Sequence, residues 1–386
     1  MKKSLIALAL TVASLGVNAQ LIQHTDQIAE VKFTGSSYEL GLHVGEVAKD
    51  QILDSVERFN DTLGIMLPGL NVASLGKSFE GANVFEKLKS TSPDAAQYIQ
   101  GLSESLNLPP SFLLAVGMSD EAILESQRNG GMGFLQAEAP AKCSVMGQTD
   151  GKGKAWGAAN FDYMGVNYEG LIVLNHTDEA GKTRIIQTWA GLIPYGGITK
   201  GGQPLLMNTM ADEGTARQKA GGEILAETST PSYHLSWDAY NAESAKDLKD
   251  MYKDGEYTAY FSYVMLDAND KATHIENGYP DVVRIHEGKE FAHTNHSNYQ
   301  QLPFVDEGFG AHSLSRLKAA QDFLSKADIN TSEQQAIEEL HTKPLWKGRG
   351  ELMGTVTSTY FSVNGKKVDM AIYTDKEHKP VHIRNY

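Results

Sequence analysis

The chain has 386 residues, a formal net charge of −14 at pH 7 and a single cysteine. Basic residues form no stripe, which argues against nucleic acid as a partner, and one cysteine excludes an internal disulfide. An apolar share of 41% is that of an ordinary globular protein, large enough for one sizeable domain or two smaller ones.

The first stretch, MKKSLIALALTVASLGVNAQ, joins a basic Lys2-Lys3 start to an apolar run from Leu5 to Val17 and a small-residue site before Gln20. It predicts a secretory signal peptide over 1–19, and so a periplasmic or secreted protein. No later apolar run is long enough to predict a membrane span.

Residues 20–142 read as a helical segment. Ser36 to Glu39 fits a capping box, and Leu40, Val44, Val47, Ile52, Val56 and Phe59 follow at helical spacing. SPDAAQYIQGLSESLNL and PPSFLLAVGMSDEAILESQ predict two more helices, opened by Ser and Pro. NGGMGFLQAEAPAK then has the composition of an exposed, cuttable loop.

From Cys143 the period becomes that of strands. CSVMGQT, AWGAANFDY, LIVLNHT, RIIQTWAG and QPLLMNTM follow one another, and YFSYVMLDA reads as a strand buried on both faces. Helices are predicted at AESAKDLKDMYKD, SLSRLKAAQDFLSKAD and SEQQAIEELHT. Two closing strands, TVTSTYFSVNG and KKVDMAIYTD, are split by the turn signal Asn364-Gly365. GGITKGG and GKGKAWG read as hairpin turns, because neither has the strand–loop–helix setting of a phosphate cradle. The pattern predicts an α+β fold of packed antiparallel sheets flanked by helices over 143–386.

Cys143 therefore lies where a loose helical tail gives way to the first strand of a sheet-rich body. Cleavage at this junction would make it a new N-terminus. The free α-amine, with a reference pKa near 8, could then take the thiol proton without a histidine.

Several stretches together resemble the acyl-coenzyme A:6-aminopenicillanic acid acyltransferase-like family of N-terminal nucleophile (Ntn) hydrolases, relatives of choloylglycine hydrolase and penicillin V acylase. They are GSSYELGLHVGE, IQGLSESLNLPPSFLLAVG, Cys143-Ser144, ANFDY, LLMNTM, HTNH and SLSR, in that order. The resemblance spans nearly the whole chain after residue 19. It implies a four-layer αββα sandwich, a helical prosegment over 20–142 that becomes a small subunit, and self-cleavage between Lys142 and Cys143. Two positions depart from relatives: Ser144 stands where Thr is usual, and Ala159 stands where bile-salt hydrolases carry Arg.

The resemblance also implies roles. Cys143 is the nucleophile, and Asp162 holds its α-amine, unless Asp162 is a turn aspartate before Tyr163-Met164-Gly165. Asn208 and Asn295 are oxyanion donors, unless they serve as caps or ladder ends. Arg316 pairs with Asp162 or a substrate carboxylate, or else is an exposed residue at a helix start. Asn160 is assigned to local backbone support. His293, His296 and His312 read as structural residues rather than a papain-like partner or metal ligands. No cofactor and no metal are expected.

The expected activity is hydrolysis of a linear N-acyl amide, a small molecule, with a homo-oligomer left open. Acyl transfer to an amine, a ceramidase-like lipid amidase and a non-catalytic binding protein of the same fold are the alternatives.

Overall fold

A computed structural model describes residues 20–66, 68–122, 143–210, 223–300, 309–350 and 353–385. The expected signal peptide and the predicted cleavage loop, Lys142 included, lie outside these residues.

The chain opens on two strands that the sequence reading did not anticipate, β1 (Gln20–Gln23) and β2 (Ile28–Thr34). Six helices follow: α1 (Ser37–Val47), α2 (Lys49–Met66), α3 (Val72–Gly81), α4 (Val84–Thr91), α5 (Pro93–Leu106) and α6 (Pro110–Gly117). The predicted capping box is present, with Ser36 accepting from the Glu39 amide and the Glu39 carboxylate accepting from the Ser36 backbone N–H. The periodic run read as one helix breaks at Ala48, and α2 then lays Phe59 against Trp189. Ser92 caps α5 and Pro93 occupies its first turn, where a missing N–H costs nothing.

Helices α1 and α5 cross at glycines. A Cβ on Gly41 would strike the Tyr98 carbonyl, and one on Gly101 would strike the Tyr38 carbonyl. These two backbones touch, so the glycines in GSSYELGLHVGE and IQGLSES serve packing.

Beyond Cys143 come β3 (Ser144–Thr149), β4 (Lys154–Met164), β5 (Leu171–Thr177), β6 (Thr183–Trp189), β7 (Ile193–Ile198) and β8 (Pro204–Thr209). Helices α7 (Ser232–Asp238) and α8 (Ala245–Met251) precede β9 (Phe261–Met265), β10 (Ala272–Gly278), β11 (Val282–Gly288) and β12 (Glu290–His293). Helices α9 (Phe309–Leu324) and α10 (Glu333–Leu340) lead to β13 (Met353–Asn364), β14 (Lys367–Tyr373) and β15 (Val381–Asn385). The β13–β14 turn is at the predicted Asn364-Gly365, where Gly365 takes a φ of +63°.

The strands form two sheets, ordered β1-β2-β5-β6-β7-β8-β9-β10-β11 and β12-β3-β4-β13-β14-β15. Every pairing is antiparallel except β2 with β5. The sheets meet through β3, β4 and β13 against β8, and β10 against β12. Helices α1, α6, α7 and α8 lie on the nine-stranded sheet, and α9 and α10 on the six-stranded one. This is the four-layer αββα sandwich. The segment before Cys143 is not a helical appendage, since it contributes two strands to one sheet and much of one outer layer.

Candidate active site

Strand pairing sets the site. Cys143 directly precedes β3, and β3 runs antiparallel to β4 with Ser144 opposite Asn160. Asp162 sits within β4 opposite Thr355 of β13, so it is a strand residue and not a turn aspartate. It is fully buried. The Cys143 thiol lies 3.9 Å from the Asp162 carbonyl oxygen. Burial, and after it the charge of Asp162, push the thiol up to about 12, while the Arg316 guanidinium opposes them.

Arg316, in the second turn of α9, is wholly buried. It donates to the Cys143 carbonyl (2.5 Å), the Ser144 hydroxyl (2.9 Å), Asn295 Oδ1 (2.8 Å) and, through Nε, His312 Nδ1 (3.0 Å). Burial lowers its pKa to about 10, against the opposing charges of Asp162 and Cys143. Neither the exposed position nor direct contact with a substrate carboxylate expected as alternatives for Arg316 fits this burial. The guanidinium instead holds the backbone of Cys143, and the Ser144 hydroxyl accepts from it.

The two asparagines part company. Asn208, on β8, lines a cleft together with Cys143. Asn295 does not line that cleft. Its Nδ2 donates to the Thr209 carbonyl at 2.8 Å and its Oδ1 accepts from Arg316. Of the two asparagines expected as oxyanion donors, Asn208 lines the cleft and Asn295 braces Arg316. Asn160 donates to the Leu340 and Leu345 carbonyls, tying β4 to the chain after α10.

The cleft wall also carries residues the sequence reading missed. Phe161 stacks on Tyr195 with ring centroids 3.9 Å apart, and Tyr163, Tyr233 and Phe261 extend the aromatic lining. The alternation in ANFDYM was the available signal for Phe161. Asp120 and Glu121, just past α6, complete the wall. Asp120 accepts from the Tyr163 hydroxyl at 2.8 Å, and Glu121 from Thr258 at 3.1 Å and from Ser232. Burial raises both carboxyls, that of Glu121 to about 7.

No histidine hydrogen-bonds to Cys143 among the described residues, so the thiol has no papain-like partner there. His296 is paired with Ser313 at 2.8 Å, and burial brings it down to about 4. His274, Glu276 and His293 gather their ligand-type atoms within 4.8 Å of one another. Hydrogen bonds account for each: His274 with Ser262 at 2.9 Å, and His293 with Glu276 at 3.1 Å. None of the helices among the described residues is long and apolar enough to cross a membrane.

No curated protein matches the chain. Among solved structures, the penicillin V acylase from Agrobacterium tumefaciens is similar with a TM-score of 0.37 at 10% identity, covering 63% of this chain and 85% of that one. Residues 239–377, which include Asn295 and Arg316, match the family described as acyl-coenzyme A:6-aminopenicillanic acid acyl-transferase.

Proposed function

We propose that the chain is an exported N-terminal-cysteine amidohydrolase, self-cleaved between Lys142 and Cys143 and acting on a linear N-acyl amide. The observation that carries this reading is the setting of Cys143. Its thiol is on the cleft wall, its carbonyl is clamped by Arg316, the Asp162 charge bears on it, and no histidine among the described residues hydrogen-bonds to it. A thiol pushed up to about 12 is a poor nucleophile while its own nitrogen is tied up in a peptide bond. Cleavage would free that nitrogen as an α-amine with a pKa near neutrality, and the buried Asp162 carboxylate would hold its protonated form.

The chemistry then balances as follows. The α-amine takes the thiol proton as Sγ attacks the amide carbonyl, and Asn208 donates to the oxygen as it becomes negative. Collapse breaks the carbon–nitrogen bond, the α-ammonium returns the proton to the leaving amine, and a thioester remains on Cys143. Water, deprotonated by the same amine, discharges it as a carboxylic acid.

The aromatic wall of Phe161, Tyr163, Tyr195 and Phe261 suits an aromatic or apolar acyl group. No basic side chain lines the cleft among the described residues to receive a polyanionic donor such as acyl-coenzyme A, which supports hydrolysis over acyl transfer. An acid quench during turnover of phenylacetyl-4-nitroanilide tests this. The fragment beginning at Cys143 should gain the mass of one phenylacetyl group, and Cys143→Ala should release no 4-nitroaniline. Turnover persisting in that variant would contradict the reading, whereas product appearing only with an added amine acceptor would make the enzyme a transferase.

A further inference from the structure

The Asn208 amide can sit only one way round. Its Nδ2 donates to the Thr294 carbonyl, which can only accept. Its Oδ1 therefore faces His293 Nδ1, 3.1 Å away, and that nitrogen must carry a hydrogen. On the far side of the ring, Nε2 lies 3.1 Å from Glu276 Oε1.

Glu276 has the surroundings of a carboxylate. Oε1 also accepts the Asn298 N–H at 2.8 Å, and Oε2 accepts the Ser297 hydroxyl. The Ser297 oxygen itself accepts from the Tyr299 and Gln300 amides, so its hydrogen is left for Glu276. Nδ1 therefore donates to Asn208, and Nε2 shares a hydrogen bond with Glu276. His274 does not compete, because its ring nitrogens are taken by Ser262 and Tyr299. His293 and Glu276 are both wholly buried, which strengthens these bonds and makes any mispairing costly.

We propose that His293 is a positioning residue, backed by Glu276, which locks the Asn208 amide so that its second Nδ2 hydrogen is left for the cleft beside Cys143. Flipping the amide would set its NH₂ against the His293 N–H and its oxygen against the Thr294 carbonyl, so the clamp holds a single orientation. The inference rests on the reading of Asn208 as the oxyanion donor.

The test compares kcat and KM for phenylacetyl-4-nitroanilide on the cleaved forms of Asn208→Ala, His293→Leu, the double variant and His293→Gln. Asn208→Ala should lower kcat by about 10²-fold or more, as loss of one oxyanion donor does. His293→Leu should lower kcat at least tenfold with KM within twofold, the double variant should be no slower than Asn208→Ala, and His293→Gln, which keeps a donor, should recover part of the loss. Equal losses from His293→Leu with and without Asn208, or an unchanged kcat, would overturn the clamp.

If His293→Leu does not fold, side-chain ¹⁵N–¹H spectra of the wild type decide: the clamp requires hydrogen on His293 Nδ1, and a bare Nδ1 overturns it. Turnover that is absent in the wild type or survives Cys143→Ala would sink the amidohydrolase reading instead, and the spectra would still judge the ring.

Discussion

Arg316 donates a 2.5 Å hydrogen bond to the carbonyl oxygen of Cys143, from a helix 173 residues further along the chain. The same guanidinium reaches Ser144 and Asn295, so one buried cation fixes the backbone of Cys143, the residue after it and Asn295, which in turn donates to Thr209 of β8.

Replacing Arg316 with Met should therefore damage both stability and chemistry. Its neighbours lose a charge-assisted donor that burial prevents water from replacing. A cost of about 3–5 kcal/mol is expected in urea unfolding, which is the range for breaking a buried charged network. Cleavage before Cys143, followed by mass, should fail in whatever folds. A variant that unfolds at the wild-type urea concentration would contradict the bonding described here.

The thiol gives a pH-dependent prediction. In the uncut chain, burial and then Asp162 hold Cys143 protonated up to about 12. The unfolded chain releases this proton near 8.5, so the contribution to stability is complete below that pH and is lost as pH rises toward about 12. At pH 8, iodoacetamide should label the uncut chain roughly 10³-fold more slowly than an ordinary exposed thiol. Labelling at the ordinary rate would show that the thiol is neither buried nor shifted.

Asp162→Asn should separate acidity from activity. Removing the carboxylate takes away a charge that raises the thiol, so alkylation of the uncut chain should quicken. Amide hydrolysis should nonetheless fall by about 10²-fold, because the α-amine would lose the group that holds it. A variant that both alkylates and hydrolyses faster would remove Asp162 from the mechanism.

Gly101→Ala tests the helix crossing. The new methyl would meet the Tyr38 carbonyl of α1 and force the helices apart, at about 3 kcal/mol of stability by denaturant titration. An unchanged midpoint would mean that the backbones are not in contact.

What could be read in advance follows from how local each signal is. Strands β3 to β6, β8 and β9 and the capping box at Ser36 depend on neighbouring residues, and the sequence displayed them, whereas β7, which runs into the glycines read as a turn, went unread. Strands β1 and β2 went unread although Ala29, Val31 and Phe33 alternate with Glu30, Lys32 and Thr34; β2 finds its partner far along the chain, with Ile28 opposite Leu171. At the site, Cys143, Asp162 and Asn208 could be picked out by residue type and motif. The direction of the Asn295 amide could not, since it is set by Thr209 and Arg316 from two other elements. Asp120 and Glu121 were not picked out, because nothing local announces that Tyr163 donates to the first and Ser232 and Thr258 to the second.

The central claim is that Cys143 becomes an N-terminus. Intact mass with N-terminal sequencing of the purified protein, wild type beside Cys143→Ala, tests it most directly. The account predicts two fragments in the wild type, the larger beginning Cys-Ser-Val-Met, and an uncut variant. A single uncut chain in both proteins would contradict it, because the thiol would then have no amine to act as its base.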